Sequence, residues 1–308
     1  MAFMQTAAYI LLDFITGMVI SIMVVCNTEL GVASTMGVSL IINHIVGLTI
    51  LFGILFFGRK NKTINPPRSK APWYLWFSGL FGLAILNCNY YTIVYTGASL
   101  AMASTVFGQS AVSLVYDLTG FMGMKKYTLN KKKILSLSIS LAGILIMAST
   151  NEGSFAFAFI LLGVLAGALT MTQMVLNSTF SQYKGSFFAA RHNFLVGLVA
   201  GVLFYFVFSP QQTFQGFKVI GKIPLLLTVS GGTLAVFVVV STNIVVTKIP
   251  AIYSALLLSG AQILMSLAID ATFYDKFSPT LLYGSLLMLI GMAGNIIADR
   301  RQKVAIPV

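Results

Sequence analysis

The stretch Gln109-Ser110-Ala111-Val112-Ser113-Leu114-Val115-Tyr116-Asp117 returns 153 residues later as Gln262-Ile263-Leu264-Met265-Ser266-Leu267-Ala268-Ile269-Asp270. Gln, Ser and Asp recur at the same spacing of four inside otherwise apolar runs. Apolar coincidences come free with this composition, whereas polar ones do not. Gly79 and Ala98 find Gly232 and Ala251 at the same offset. At an offset of 150, Leu11, Leu12, Gly17, Val25, Asn27, Asn43, Val46, Gly47 and Leu48 match Leu161, Leu162, Gly167, Val175, Asn177, Asn193, Val196, Gly197 and Leu198. The chain reads as two copies of one unit, 1–150 and 151–308, the second ending in a short basic tail.

The solvent of this molecule follows from its charge deficit. Of 308 residues, 57% are hydrophobic and 8% charged, against roughly 25% charged in an ordinary soluble domain. Twenty-six acids and bases, the sum of 19 and 7, cannot cover a water-facing surface of this size. Lipid removes the need. Runs long enough to cross a bilayer as helices, about 20 residues at 1.5 Å rise, fall at 6–26, 36–57, 73–95, 99–122, 133–149, 156–177, 187–208, 223–246, 251–273 and 278–298. The expected fold is all-α integral membrane, with ten transmembrane helices as two inverted five-helix repeats. Breaks carry turn chemistry at Arg59 to Pro67, Lys125–Lys133, Asn151–Gly153, Ser209–Pro210, Pro250 and Ser278–Pro279. No basic residue precedes the first run, and that run has an internal counterpart, so it is expected to stay in the membrane as a helix.

Five is odd, so the second copy must enter the membrane from the opposite face. The charges agree. The loops after the second and fourth helices carry ten Lys and Arg, and their counterparts after the seventh and ninth carry three: Lys218, Lys222 and Lys276. With ten spans, 16 of 19 basic residues gather on the side of both termini, among them Arg59, Lys60, Lys131, Arg300, Arg301 and Lys303. Basic residues stay inside, so both termini are expected in the cytoplasm, in a cell (inner or plasma) membrane. The net charge of +12 belongs to these clusters and not to a nucleic-acid footprint, and no nucleic-acid partner is expected.

The residues then resemble a known family. Pro72-Trp73-Tyr74-Leu75-Trp76, Gly79, Gly97-Ala98, Gly108-Gln109, Asp117, Gly120, Phe121 and Leu141-Ala142-Gly143 look like the YdcZ-type branch of the drug/metabolite transporter superfamily. Gly167, Gln173 and Asn177, followed by Asn193-Phe194-Leu195-Val196-Gly197, resemble the opening helices of the same family's repeat. Members are often single five-helix units that pair up, and this chain looks like a fused pair; further pairing into a homodimer stays open. The halves differ where Met23 stands opposite Gln173 and Ile41-Ile42 opposite Arg191-His192, so the resemblance implies a centre that is no longer symmetric.

Candidate site residues follow from the cost of polarity in hydrocarbon. Steps of four drift only about 40° around a helix, so Gln109, Ser113 and Asp117 form one stripe, and Gln262, Ser266 and Asp270 another. An unpartnered buried amide is expensive, which turns both stripes toward the bundle interior. They either line a solute cavity or lock helices together by hydrogen bonds; for the serines, bonding to their own helix backbone is the simpler reading. Asn43 and Asn193 lie within helices, and Asn89, Tyr90 and Gln173 add amide and phenol groups. Asn27 and Asn177 are expected near helix ends, as caps. Asp117 and Asp270, near opposite faces, are the carboxylates to examine for proton coupling. Glu29, Glu152, Asp13 and Asp275 read as loop or boundary charges. His44 and His192 lack a carboxylate neighbour in sequence, and Tyr95 reads as an interfacial anchor. Gly163 with Gly167, and Gly197 with Gly201, permit close helix approach.

Cys26 and Cys88 sit in apolar runs with no metal-ligand spacing and no disulfide framework. No phosphate loop, zinc-protease motif or Gly-x-Ser-x-Gly elbow occurs. Neither ATP, a cofactor, a metal nor a catalytic residue is expected, and the chain reads as no enzyme. The reading reached is a secondary transporter of a small organic solute working by alternating access. A passive channel is the alternative, and a membrane scaffold a weaker one, since a scaffold gives no reason for paired stripes.

Overall fold

The computed structural model describes residues 2–61, 63–64, 66, 69–121, 131–149, 156–245 and 251–300, with backbone alone for 2–7, 117, 156, 251–256 and 295–300. Glu152, the side chain of Asp117 and most of the expected basic loops lie outside the described residues. Long apolar runs can satisfy their backbone without water only as helices, and every regular element among the described residues is helical. The long elements are α1 (Ala2–Ala33), α2 (Met36–Phe57), α3 (Leu80–Thr119), α4 (Lys131–Ala148), α5 (Ala156–Lys184), α6 (Ser186–Phe208), α8 (Leu225–Val245), α9 (Ala251–Thr272) and α10 (Pro279–Arg300), with a short α7 (Pro210–Val219) before α8. Among the described residues, six helical stretches have the length and apolarity to cross a membrane.

Several boundaries move from those the sequence predicts. Helix α1 continues past 26 to Ala33, and α5 past 177 to Lys184. Asn27 and Asn177 are therefore buried inside helices, not at caps. Their neighbours turn their hydroxyls back onto the preceding helical turn: Thr28 Oγ1 donates to the Val24 carbonyl at 3.0 Å, and Thr179 Oγ1 to that of Val175 at 2.8 Å. Asp13, expected at a boundary, is also buried within α1. The predicted span 73–95 opens instead with a 3-10 turn, Trp73–Phe77, behind Pro72, and the α-helix starts at Leu80. The break at Ser209-Pro210 starts α7, because proline fits the first helical turn.

Helix α3 runs as one assigned element through Gly97, whose φ of 79° and ψ of 171° are not helical. That conformation is open essentially to glycine alone. Thr105 Oγ1 donates to Asn89 Oδ1 at 3.3 Å. These residues lie eight positions either side of Gly97. In a straight helix sixteen residues span about 24 Å, so the two arms, 80–96 and 98–119, fold back on each other.

Packing repeats itself between the halves. A Cβ on Gly17 would strike the Leu258 carbonyl oxygen, and one on Gly167 the Thr105 carbonyl oxygen. One on Gly79 would meet the Asn193 carbonyl and Val196; one on Gly232, the Asn43 carbonyl and Val46. Each contact carries to its partner by the offsets of 150 and 153. So α1 lies against α8 and α9 as α5 lies against the two arms of α3, while α2 meets α6 and α4 meets α10. The α4–α10 end holds one apolar core around Ile144, Met147, Ile263 and Met288, and the α2–α6–α8 end another around Leu51, Phe194 and Val236. Large apolar side chains such as Phe57, Phe208 and Leu226 face outward, as a lipid-facing surface requires.

Candidate functional site

Between the two cores lies a cavity of about 140 Å³ bounded by residues of α1, α2, α3, α5, α6, α8 and α9. The repeat delivers its polar groups in matched pairs: Asn27 with Asn177, Asn43 with Asn193, and Gln109 with Gln262. Asn89, Gln173, His44, Thr105, Thr170 and Thr242 complete the polar lining, and Met102, Met174, Ile20 and Phe194 are among the apolar groups. Among the described residues the lining holds no Asp, Glu, Lys or Arg.

The two sides of the cavity are bonded differently. On the α5 side, Ser78 Oγ donates to Asn177 Oδ1 at 2.7 Å. Gln173 Nε2 donates to the Ser78 carbonyl at 3.1 Å and to Asn193 Oδ1 at 3.2 Å. On the α1 side, position 231 is glycine where Ser78 would recur, and Met23 stands where Gln173 would. Asn27, 2% exposed, and Gln262, fully buried, have no hydrogen-bond partner among the described residues at either side-chain polar atom. Leaving a buried donor or acceptor unpaired costs about 1–3 kcal/mol, which sets these two amides apart from the bonded ones on the α5 side. The Gln262 backbone is held, its carbonyl accepting from Ser21 Oγ at 2.8 Å.

The remaining residues singled out in the sequence divide. Gln109, Gln262, Asn43, Asn193, Asn89 and Gln173 line the cavity. Ser113, Ser266 and Tyr90 do not: Ser266 Oγ bonds the carbonyl of Ile263 at 2.8 Å, and the Tyr90 ring covers Gly31. Asp270 is 2% exposed and sits by the break in α3, accepting from the backbone N–H of Ala98 at 3.0 Å and of Ser99 at 2.7 Å. It caps the second arm of α3, where free N–H groups and the helix dipole favour an anion. His44 lines the cavity with Nδ1–H given to the Leu40 carbonyl at 2.8 Å. His192 instead donates Nε2–H to the Trp76 carbonyl at 2.9 Å, its ring edge-on to Trp76. Tyr95 is exposed and stacks on Phe159 at 4.0 Å.

Sequence reasoning missed Asn27 and Asn177 as cavity residues and Ser78 as their divider. The signal for the asparagines was present in their match at an offset of 150; the presumed helix ends obscured it. Nothing in sequence spacing brings Ser78 to Asn177, which lies 99 positions away.

No curated protein matches the chain. A solved structure described only as "Crystal structure of protein" is similar in fold, with a TM-score of 0.66 and 14% identity over 96% of this chain and 98% of that one. The family model described as "Putative inner membrane exporter, YdcZ" matches twice, over residues 8–146 and again over 158–294. The chain belongs to the YdcZ family of membrane transporters, within the drug/metabolite transporters, and carries the family's unit twice.

Proposed function

We propose that the protein is a secondary transporter that moves a small organic solute by alternating access through the central cavity. The observation that carries this reading is the matched lining. Asn27 and Asn177, Asn43 and Asn193, and Gln109 and Gln262 bring one polar group from each half to a shared space. Binding at the interface of inverted repeats suits a protein whose halves rock about a fixed site. The proposed topology has ten crossings: the two arms of α3 count separately, and α1, α2, α4, α5, α6, α8, α9 and α10 supply one each. Residues 1–150 and 151–308 are then inverted copies, with both termini in the cytoplasm. A single chain supplies both units. The family's description as an exporter favours outward transport.

Gln109, Gln262, Asn43, Asn193, Asn89 and Gln173 are the proposed solute-contacting set, with Asn27 and Asn177 added. Asp270 is proposed as a brace for α3 in place of a proton carrier, since both its oxygens are taken by backbone.

Alternating access is tested by single cysteines at positions 27 and 177 in a chain lacking Cys26 and Cys88. In the proposed topology position 27 is reached from outside and position 177 from the cytoplasm. Cross-linking one side shut should leave the other reactive, with saturable solute flux in proteoliposomes lost. Simultaneous labelling of both positions from both sides would mark a channel and sink the transporter reading.

A further inference from the structure

Resting on that transport reading, we propose that the cavity selects an uncharged solute with a hydrogen-bond donor beside an acceptor, such as a carboxamide or lactam. The side-chain amides of Asn27 and Gln262 are the pair that reads it. Each primary amide offers an N–H donor next to a carbonyl acceptor. Both are buried at the cavity wall, and neither has a partner at either atom among the described residues. Three other lining amides are already engaged: Asn177 with Ser78, Gln173 with Asn193, and Asn89 with Thr105. A solute that donates and accepts at adjacent atoms completes one of these amides, and a primary carboxamide, with two N–H donors and two carbonyl lone pairs, has enough groups for both.

Charge decides against ions. A buried ion requires a counter-charge or strong compensation, and the lining has no Asp, Glu, Lys or Arg among the described residues. His44 has its Nδ1 committed to the Leu40 carbonyl. Geometry sets the scale. Ser21 ties the Gln262 backbone to α1, and Asn27 lies six residues further along that helix, about 9 Å. A compact molecule bridges that gap. An apolar cavity of about 150 Å³ accepts benzene, so about 140 Å³ suits a solute of about six heavy atoms. Met102, Ile20 and Phe194 clothe its hydrocarbon part.

Three probes of equal shape separate charge from size: isobutyramide, isobutyrate and isobutyramidinium. Binding to the purified full-length protein is read as a saturable rise in unfolding temperature. Isobutyramide should bind at least about tenfold more tightly than either ion, a difference of about 1.4 kcal/mol. Asn27→Leu and Gln262→Leu should each weaken it by about tenfold or more. Gly82→Leu, which points into the cavity, should abolish it. If a Leu variant fails to fold, Gln262→Glu carries the test, since its carboxylate should turn the preference toward isobutyramidinium. An ion bound as tightly as the amide overturns the assignment, as does unchanged amide binding in the folded Leu variants. Binding of none of the three also overturns it, and leaves water as the partner of these amides. In each of these cases the transporter reading survives, because it stands on alternate labelling of positions 27 and 177.

Discussion

Ser78 Oγ donates a 2.7 Å hydrogen bond to Asn177 Oδ1, while the matched residue Gly231 lies bare against Asn27 Oδ1. Two copies of one unit thus close the cavity differently. Ser78, Gln173, Asn177 and Asn193 form a polar latch on the α5 side. The corresponding Gly231, Met23, Asn27 and Asn43 cannot reproduce its Ser and Gln bonds. A side held by hydrogen bonds opens less readily than one without them, so under the proposed alternating access the asymmetry would bias which face is closed at rest.

Removing the latch should shift that bias. Ser78→Ala strands Asn177, and Gln173→Met copies the other half; each should cost about 1–3 kcal/mol. A cysteine at position 181, buried on α5, should then react faster with a cytoplasmic thiol reagent. Unchanged reactivity in both folded variants removes the latch from the mechanism.

Close helix approach makes a second expectation. Gly17→Ala and Gly167→Ala would press a methyl group onto backbone carbonyl oxygens of Leu258 and Thr105. Overpacking of this kind costs about 1–3 kcal/mol, read as a lower unfolding temperature. Gly82→Ala is the control, since its Cβ would meet nothing nearer than Gln173 Nε2 at 3.5 Å. It should be neutral or slightly stabilising, as alanine is the better helix former by about 1 kcal/mol.

How much of this was legible beforehand depends on the distance over which each signal acts. Hydrophobic run length gave the helices, and the Gln-Ser-Asp repeat gave the paired units the family model matches. Asn43, Asn193, Gln109 and Gln262 were recognisable because polarity inside an apolar run must have a reason. Helix ends were misplaced at Asn27 and Asn177, where buried polar residues look like caps to a one-dimensional reading. Ser113 and Ser266 continue the stripe of the glutamines in sequence, yet neither lines the cavity. The capping role of Asp270 needed the chain reversal at Gly97, which spacing does not reveal. Neither does spacing disclose that Ser78 reaches α5.

Tyr274, beyond the end of α9, donates to Glu29 of α1. Burial, and then its bond to Glu29, push its phenol well above the usual range near 10. A raised value means the neutral form is favoured by folding, so its contribution is fully present below pH about 10 and lost as pH rises through the folded value. Ultraviolet titration should find tyrosine ionisation extending above pH about 10, and Tyr274→Phe should reduce that late step. Loss of an early step instead would refute the pairing.

Topology has its own measurement. With Cys26 and Cys88 replaced, a cysteine at position 62 or 130 should resist an impermeant thiol reagent added outside intact cells, and one at position 218 should react. Basic residues cluster around the first two positions, which is the reason to place them inside. Strong outside labelling at 62 or 130 reverses the orientation.

Asp270 poses the sharpest choice, between a carrier of protons and a brace. Its two oxygens hold the N–H groups of Ala98 and Ser99 just after Gly97, whose backbone is open to glycine. A carboxylate so bonded is committed to the turn. Asp270→Asn keeps the shape but replaces one acceptor with a donor facing an N–H. It should cost about 1.5–3 kcal/mol, the scale of a hydrogen bond to a charged group. Gly97→Ala strains the same turn by about 1–3 kcal/mol. The two changes should be non-additive, because they disturb one structure. Folded Asp270→Asn protein in proteoliposomes should keep its pH dependence of flux while unfolding at a lower temperature. The reverse pattern, unchanged unfolding with pH-gradient coupling lost, would return Asp270 to the proton path.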